Sequence, residues 1–392
     1  MNQGALDGVR VLDLSRVVAG PYMGRLLTDM GAEVIKVEPP EGDQVRLIAP
    51  TFDVGMSAFY TFANVGKRGL CIDLKQSAGR DIALDLIRQV DIVIENFRPG
   101  VLDRLGLGWQ DIHAVNPSAI LVSLNGYGSD SAWGARMAYA PILHAVTGIL
   151  ADQSEYSGDP VSQRNDAHAD THSALHGAFA ALAALRVAAA TGKGQHVEVP
   201  MYDAVLTSYS EANQALLPEA DDRIMNPLFD AGPHGRVATA GDDRHVWKRL
   251  EAQHGLEDPA PPTADRAEKA RLRRQTLETW MASQTDRDAL LAAIQAAGIA
   301  CGPVVSLHEA LTGELAKERD LLVQVDDRRG GTRPVIRPAA RFSESSNFVR
   351  GPAPRRGEHN VEILRELLGY DEARIIELQR AGVVLESDPD DR

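Results

Sequence analysis

The chain has 392 residues, 44% of them hydrophobic, which is enough for two domains or for one large domain with an appendage. Its formal net charge of −14 argues against binding to nucleic acid or to an acidic membrane surface. Only two cysteines occur, Cys71 and Cys301, without metal-ligand spacing, which favours a reducing compartment. We find no secretory leader pattern and expect no apolar run of membrane-spanning length, so we expect a cytoplasmic protein.

Short runs rich in Val, Ile and Leu alternate with helical patterns through the first half of the chain. The first predicted strand covers residues 9–14, and Pro21 opens a helix that stops at Gly31. Further strands are predicted at 32–38, 69–74, 91–95, 119–124 and 196–199, with a helix near 78–89. This alternation is typical of an α/β fold with a Rossmann-like, doubly wound parallel sheet.

Two nucleotide-binding signatures are missing from the sequence. The stretch from Ser15 to Gly20 contains no G-x-G-x-x-G, and the chain has no Walker A sequence. Hydride transfer and P-loop chemistry are therefore disfavoured.

Basic residues follow the predicted third and fourth strands. Lys67, Arg68 and Lys75 flank the third strand, while Arg98 and Arg104 follow the fourth. Because ligands of open α/β sheets bind beyond the carboxyl ends of the strands, Lys75, Arg98 and Arg104 could line a phosphate-rich ligand. The alternative is that they are solvated surface charges, as most Lys and Arg residues are.

The second half of the chain has a different pattern. After a stretch without clear periodicity, helices are predicted at 266–281 and 287–297, and a turn leads into a short strand at 298–304. We interpret 216–330 as a small α+β domain between a large domain at 1–215 and a C-terminal return at 331–392. The return contains a strand region at 334–343, helices at 361–368 and 371–380, and an acidic tail at 386–392 that we expect to be disordered.

An alanine-rich stretch from Thr171 to Ala190 predicts a buried or nearly buried helix. Asp170 precedes it at a predicted N-cap position, and the glycines at 192 and 194 predict its end. The anion of Asp170 would be favoured there by the helix dipole. From the sequence pattern alone, Asp170 is either a helix cap or a functional carboxylate.

Several segments together resemble the class III CoA-transferases, a family that includes formyl-CoA:oxalate and carnitine CoA-transferases and the α-methylacyl-CoA racemases. The longest matches are G-A-E-V-I-K-V-E at 31–38, E-N-F-R-P-G at 95–100, T-G-K-G-Q at 191–195 and G-E-H-N at 357–360. Shorter matches lie at 6–13, 19–21, 42–43, 67–68, 73–75, 116–117, 126–128 and 297–299. The resemblance implies an interlocked homodimer whose large domain is built from both ends of each chain.

The resemblance also implies a mechanism and a set of site residues. The position before T-G-K-G-Q that carries the family's nucleophilic aspartate is Asp170, whereas Asp166 falls outside the motif and is expected in a loop. Acyl-CoA and a carboxylic acid would be the substrates, with no metal and no tightly bound cofactor. CoA is expected to lie along Val18, Ala19, Ile72, Asp73, Leu74, Lys75, Asn96, Phe97, Arg98 and Arg104.

Departures from the family pattern leave alternatives open. Tyr139 replaces the acid–base histidine of the racemases and Ala140 the acidic residue beside it, which disfavours racemisation. His144, His168, His172 and His176 lie nearby, and His168 or His172 could adjoin Asp170. Where the family's transferases carry a glycine-rich loop over the active site, the segment 229–235 has only separated glycines and the segment 237–247 is shortened, which leaves open whether the loop at 229–247 shields the site. We therefore carry three hypotheses: a CoA-transferase, an α-methylacyl-CoA racemase or epimerase, and a non-catalytic CoA-binding subunit of a transferase pair.

Overall fold

The computed structural model describes residues 3–48, 50–53, 56–217 and 226–385. Its chain forms two compact units, one from Met1–Ala212 with Asp320–Arg392 and the other from Asn213–Arg319. The sequence placed these boundaries at 215 and 330. The predicted acidic tail at 386–392 lies outside the described residues.

The large unit contains a six-stranded parallel sheet. Its strands are β1 (Arg10–Asp13), β2 (Glu33–Glu38), β3 (Arg68–Cys71), β4 (Ile92–Glu95), β5 (Ile120–Asn125) and β6 (His196–Pro200). They are ordered β3-β2-β1-β4-β5-β6 and every neighbouring pair is parallel. The predicted doubly wound sheet is thus confirmed, and its order reverses between β1 and β4.

The other strands are β7 (Leu228–Asp230), β8 (Arg236–Thr239), β9 (Cys301–Pro303), β10 (Leu322–Asp326) and β11 (Thr332–Ile336). The helices are α1 (Ala19–Asp29), α2 (Ala58–Asn64), α3 (Ser77–Ile87), α4 (Val101–Arg104), α5 (Trp109–Val115), α6 (Ala140–Val146), α7 (Ile149–Ser157), α8 (His168–Thr191), α9 (Met201–Ser208), α10 (Asp243–His254), α11 (Arg266–Ala282), α12 (Arg287–Ala296), α13 (Leu307–Thr312), α14 (Glu314–Glu318), α15 (Asn360–Leu368) and α16 (Glu372–Arg380). Short 3₁₀ segments cover Gln44–Leu47, Ser210–Leu216 and Gly232–His234, and Thr51–Asp53 pairs with Met56–Ser57.

Helices cover both faces of the parallel sheet. On one face, side chains of α3, α15 and α16 pack against Leu12, Ile35 and Leu70 of the strands. On the other face, α1, α6, α8 and α9 pack against Ile94 and Val122. Residues from both ends of the chain therefore bury the same sheet, since α15 and α16 follow Asp320.

The G-E-H-N segment protects the edge strand β3. The amide oxygen of Asn360 accepts from the N–H of Cys71 at 2.8 Å, and Nδ1 of His359 accepts from the N–H of Gly69 at 3.1 Å. In return, the N–H of His359 donates to the carbonyl of Gly69 at 2.9 Å. Backbone groups of an exposed edge are thereby satisfied, and this family motif has a structural role.

Helix α8 has 24 residues and is the central helix of its face. Small residues form its buried side, and at Gly177 an added Cβ would approach Leu124 at 2.9 Å and Met23 at 3.0 Å. The helix ends at Gly192, whose φ of 72° is the left-handed conformation that glycine favours. By length and composition alone α8 could cross a membrane, so the expectation that no run reaches spanning length was wrong.

The small unit has its own core. Strands β7, β8 and β9 form an antiparallel sheet in the order β9-β8-β7. Buried Phe229, Trp247, Leu277 and Met281 join this sheet to its helices. In the large unit, β10 and β11 form an antiparallel pair, of which the sequence predicted only the second strand, with its end placed too late.

Candidate active site

The loops that follow β1 and β4 meet where the strand order reverses. The side-chain oxygen of Asn96 accepts from the N–H of Arg16 at 2.7 Å, and its amide nitrogen donates to the carbonyl of Arg16 at 2.6 Å. The guanidinium of Arg16 lies 5.4 Å from the centre of the Phe97 ring. Such a reversal opens a crevice beyond the carboxyl ends of the strands, the usual ligand site of open α/β sheets.

The backbone of Val17 adopts a left-handed conformation in the first of these loops. Its φ is 69°, which is rare for a β-branched residue and costs roughly 1–3 kcal/mol. The carboxylate of Asp43 accepts from the Val17 N–H at 3.1 and 3.2 Å and forms an ion pair with Lys36 at 3.4 Å. Asp43 therefore holds a strained turn in the segment that leads into α1.

Buried ion pairs lie within the strands and loops next to the turn at Val17. Lys67 pairs with Asp13 at 2.7 Å and both side chains are fully buried. Burial lowers the pKa of Lys67 to about 8, although the adjacent Asp13 carboxylate opposes that shift. Arg68 pairs with Glu33 at 2.7 Å. Lys67 and Arg68 of the matched motif are therefore structural and not part of a phosphate site.

Asp170 lies inside the first turn of α8. The helix begins at His168 and its N-cap is Ala167, so the predicted N-cap role of Asp170 was wrong. The backbone N–H groups of Ala19, the first residue of α1, and of Asp170 itself act on the Asp170 carboxylate and lower its pKa. The amino ends of two helices thus point at one carboxylate, which favours its anion.

Partial burial works against that anion. It raises the pKa of Asp170 to about 6, although the two backbone donors lower it. The side chain is neither fully buried nor fully exposed. Within the described chain, no Lys or Arg forms an ion pair with it. The carboxylate is therefore mostly ionised at pH 7 and is not neutralised by a neighbouring cation.

Three histidines surround the start of α8. The Nε2 atom of buried His144 accepts from the N–H of Ala169 at 3.3 Å, which fixes the residue before Asp170. The rings of His168 and His172 lie 3.7 Å apart, and burial together with His172 lowers the pKa of His168 to about 4. Asp166 lies before the helix and pairs with Arg164 at 2.8 Å, as expected for a loop residue.

Glu95 supports the loop after β4 and was not identified from the sequence. Its carboxylate accepts from the N–H of Phe97 at 2.8 Å. Burial raises the pKa of Glu95 to about 7, while hydrogen bonds from Ser123 and Phe97 lower it. The local sequence does not show whether a carboxylate at the end of a strand is buried or solvated, because its burial depends on the neighbouring strands.

Comparison with known proteins identifies the family of this chain. The sequence profile of CoA-transferase family III matches residues 6–360. The chain belongs to CoA-transferase family III. It is 32% identical to an acyl-CoA transferase of Fusarium pseudograminearum, covering 98% of this chain and 89% of that protein. It is 31% identical to a succinate–glutarate CoA-transferase of Agrobacterium fabrum, covering 92% and 95%.

Solved structures of this family have the same fold. The chain superimposes on a CaiB/BaiF family protein from Brucella suis with a TM-score of 0.78 at 31% identity, covering 94% of this chain and 100% of the other. The match extends over both units of the chain. The protein is thus an enzyme of the CoA-transferase class with the family's α/β fold.

The residues expected to bind CoA form two groups at the carboxyl edge of the family III sheet. Val18, Ala19, Asn96 and Phe97 lie at the reversal point between β1 and β4. The segment from Ile72 to Lys75 follows β3, which is three strand spacings from β4 and hence about 14 Å away. The distance between the two groups suits an extended ligand that contacts both of them and is too great for a compact ligand.

These residues differ in what their side chains can offer. Lys75, Arg98 and Arg104 are exposed and form no ion pair within the described parts of the chain. Ile72 is fully buried and Leu74 packs against the sheet core, so neither presents a free side chain. Asp73 accepts from the Lys75 N–H at 3.0 Å, and Asn96 is occupied by Arg16. Only the three cations and Phe97 therefore combine accessibility with groups suited to a phosphorylated, adenine-bearing ligand.

The position of the racemase histidine holds a different residue. Tyr139 is the N-cap of α6 and is 48% exposed, whereas Ala140 is buried in the helix core. The position therefore carries a phenol and not an imidazole, and the first turn of α6 contains no histidine.

Proposed function

We propose that this enzyme moves CoA from an acyl-CoA to a carboxylic acid, with Asp170 as the nucleophile. The observation that carries the proposal is the environment of this carboxylate. Backbone N–H groups of α1 and of its own helix favour its anion, and within the described chain no cation is paired with it. An ionised but poorly solvated carboxylate is more reactive than one fully hydrated or held by an arginine.

The proposed chemistry proceeds through covalent intermediates on Asp170. A carboxylate oxygen attacks the thioester carbon, the C–S bond breaks, and CoA leaves as the thiolate with a mixed anhydride behind it. The thiolate then attacks the aspartyl carbonyl, which releases the donor acid and forms an aspartyl-CoA thioester. The acceptor carboxylate repeats these steps in reverse and leaves as its CoA ester. Each step exchanges one acyl bond for another, so no oxidant or metal is needed.

The N–H of Ala19 has a second proposed task. While Asp170 is an anion, this group donates to it, and it is released when the carboxylate becomes an acyl group. It can then donate to the oxyanion that forms at the attacked carbonyl. This role explains why a strained Val17 is retained two residues earlier, because the turn at Val17 sets the direction of the Ala19 N–H.

We propose that the cations after β3 and β4 hold the phosphates of CoA. Lys75, Arg98 and Arg104 are accessible and lie along the same edge of the sheet. For the acyl group we propose a short dicarboxylic acid, since the relative from Agrobacterium fabrum is a succinate–glutarate CoA-transferase. Succinyl-CoA with glutarate is accordingly the first pair to test.

We further propose that the enzyme is a homodimer, interlocked as the family resemblance implies. Leu175 (50%) and Phe179 (77%), which are four residues apart on α8, are large, apolar and exposed, and Val187 (47%) is exposed two turns further along. Residues spaced in this way lie on one side of a helix. A second chain that covers this stripe would remove it from water. Light scattering across a dilution series should then give twice the monomer mass.

Steady-state transfer assays test the proposed nucleophile. Asp170→Asn keeps the size and one acceptor oxygen of the side chain but lacks a nucleophilic oxygen anion, so turnover should fall by about 10³-fold or more. Asp166→Asn is the matched control, because Asp166 lies four residues earlier and pairs only with Arg164 among the described residues. Equal losses in the two variants, or full activity of Asp170→Asn, would contradict the proposal.

A further inference from the structure

The small unit contains a cavity that the transferase site does not use. It lies between α11, the first turn of α10 and β7, and has a volume of about 750 Å³. Phe229, Ala267, Ala270 and Leu277 line its apolar part. This size is within the range of small-molecule sites, which is roughly 300–1,000 Å³.

The charge of this cavity is opposite to that of the protein. Its six basic lining residues are Arg244, Arg266, Lys269, Arg271, Arg273 and Arg274, whereas its one acidic lining residue is Asp243. The whole chain has a net charge of −14. Such a concentration of cations in an acidic protein creates a local field that attracts anions.

Several of these cations lack a strong partner. Arg273 pairs with Asp258 at 2.5 Å and Arg274 with Glu278 at 3.0 Å, so these two are largely neutralised. By contrast, among the described residues Arg271 donates only to the amide oxygen of Gln275, at 3.3 Å. Lys269 donates to the carbonyl of Pro262 at 3.4 Å, and its charge also acts on the Asp258 carboxylate. Arg244 makes no hydrogen bond or ion pair to any residue that the structure describes.

We propose that this cavity binds a small molecule that carries adjacent phosphate groups and a flat apolar moiety, as a nucleoside triphosphate does. Arg244 and Arg271, which form no ion pair with any described residue, and the weakly bonded Lys269 supply donors for phosphate oxygens. The apolar part lined by Phe229 and Leu277 suits a base or another flat ring. A ligand with a single carboxylate would leave most of this positive charge uncompensated.

The site is distinct from the proposed CoA site. Every residue that lines it belongs to the segment 213–319, whereas Lys75, Arg98 and Arg104 belong to the large unit. Substitutions in the cavity therefore leave the residues of the proposed CoA site unchanged.

Calorimetric titration of the full-length protein tests the proposal with ATP and with inorganic pyrophosphate as probes. We expect saturable binding of one equivalent, weakened at least tenfold by the double charge reversal Arg244→Glu, Arg271→Glu. Lys248→Glu is the matched control, because Lys248 is exposed on α10 but does not line the cavity. Its affinity should stay within about twofold of the unaltered protein.

Comparison of the two probes shows whether the cavity recognises the base as well as the phosphates. Tighter binding of ATP than of pyrophosphate supports recognition of both base and phosphates, and equal binding supports recognition of the phosphates alone. No saturable binding of either probe, or equal affinity in the double variant and the unaltered protein, would overturn the proposal. So would an affinity that does not change when salt rises from about 50 to about 300 mM, a test that needs no variant.

Discussion

Replacement of Asp170 by Asn should stabilise the folded protein while abolishing its activity. The pKa of this carboxyl is raised from 3.8 to about 6 because its anion is partly desolvated in the folded state. The native state therefore binds more protons than the unfolded state between these two values. It follows that the native state loses stability as pH rises from about 4 to about 6. Above pH 6 the full penalty is present, and an asparagine does not carry it.

The magnitude follows from the size of the shift. A shift of about two pKa units corresponds to about 3 kcal/mol, since one unit is 1.36 kcal/mol. Asp170 is not fully buried, and solvent reduces this value, so we expect Asp170→Asn to gain about 1–3 kcal/mol at pH 7.5. At pH 5 roughly half of the gain should remain, because there the native carboxyl is largely protonated and the unfolded one largely ionised.

Chemical denaturation of both proteins at pH 7.5 and pH 5 measures this gain. Asp166→Asn is again the matched control, because the hydrogen bond from Arg164 lowers the pKa of Asp166 and reverses the expected sign. The reasoning is refuted if Asp170→Asn is no more stable than the unaltered protein at pH 7.5. It is also refuted if the difference between the two proteins is the same at both pH values. A confirmed gain would show that the active site is held at a cost in stability.

Three further predictions concern charged residues of the large unit. Lys67→Met should cost about 3–5 kcal/mol in denaturation experiments, because it leaves the buried carboxylate of Asp13 without its nearest cation; the double variant with Asp13→Asn should recover most of this loss. Asp43→Asn should lower kcat about tenfold or more with a smaller change in KM, because it frees the turn at Val17 that directs the Ala19 N–H. Equal effects on kcat and KM would speak against a positioning role for Asp43. Arg104→Ala should raise KM for acyl-CoA roughly tenfold and leave kcat nearly unchanged. Arg88→Ala is the control: it removes an arginine that is paired with Asp85, and it should change neither KM nor kcat.

The sheet was predictable because its central strands are buried. Segments such as Ile92–Glu95 and Ile120–Asn125 read as continuous apolar runs, which parallel strands covered on both faces require. Boundaries were less accurate where the deciding contacts are distant. Helix α1 begins at Ala19 and not at Pro21, since the turn at Val17 is fixed by Asp43 from another segment.

The environment of the proposed nucleophile was only partly predictable. Family resemblance selected Asp170, but the sequence could not distinguish an N-cap from a residue within the first turn, because both positions favour aspartate. The contact of His144 with the Ala169 N–H was also missed. The sequence around an isolated histidine does not show which backbone N–H will donate a hydrogen bond to its ring.

Buried charges were the least predictable feature of the site. Lys36 and Lys67 look like ordinary surface lysines in the sequence, yet both are fully buried and form ion pairs. Their partners, Asp43 and Asp13, come from other strands or loops, so only the assembled sheet brings opposite charges together. The same reasoning applies to Glu95, which becomes buried through its neighbours in the sheet.

Mass spectrometry of a trapped covalent intermediate tests the central claim most directly. The protein would be incubated with succinyl-CoA and other acyl-CoAs, quenched with hydroxylamine or borohydride, and digested. We predict a mass change on the peptide that contains Asp170, absent from Asp170→Asn and retained in Asp166→Asn. An active enzyme that turns over the same acyl-CoA without any modification of Asp170 would contradict the account.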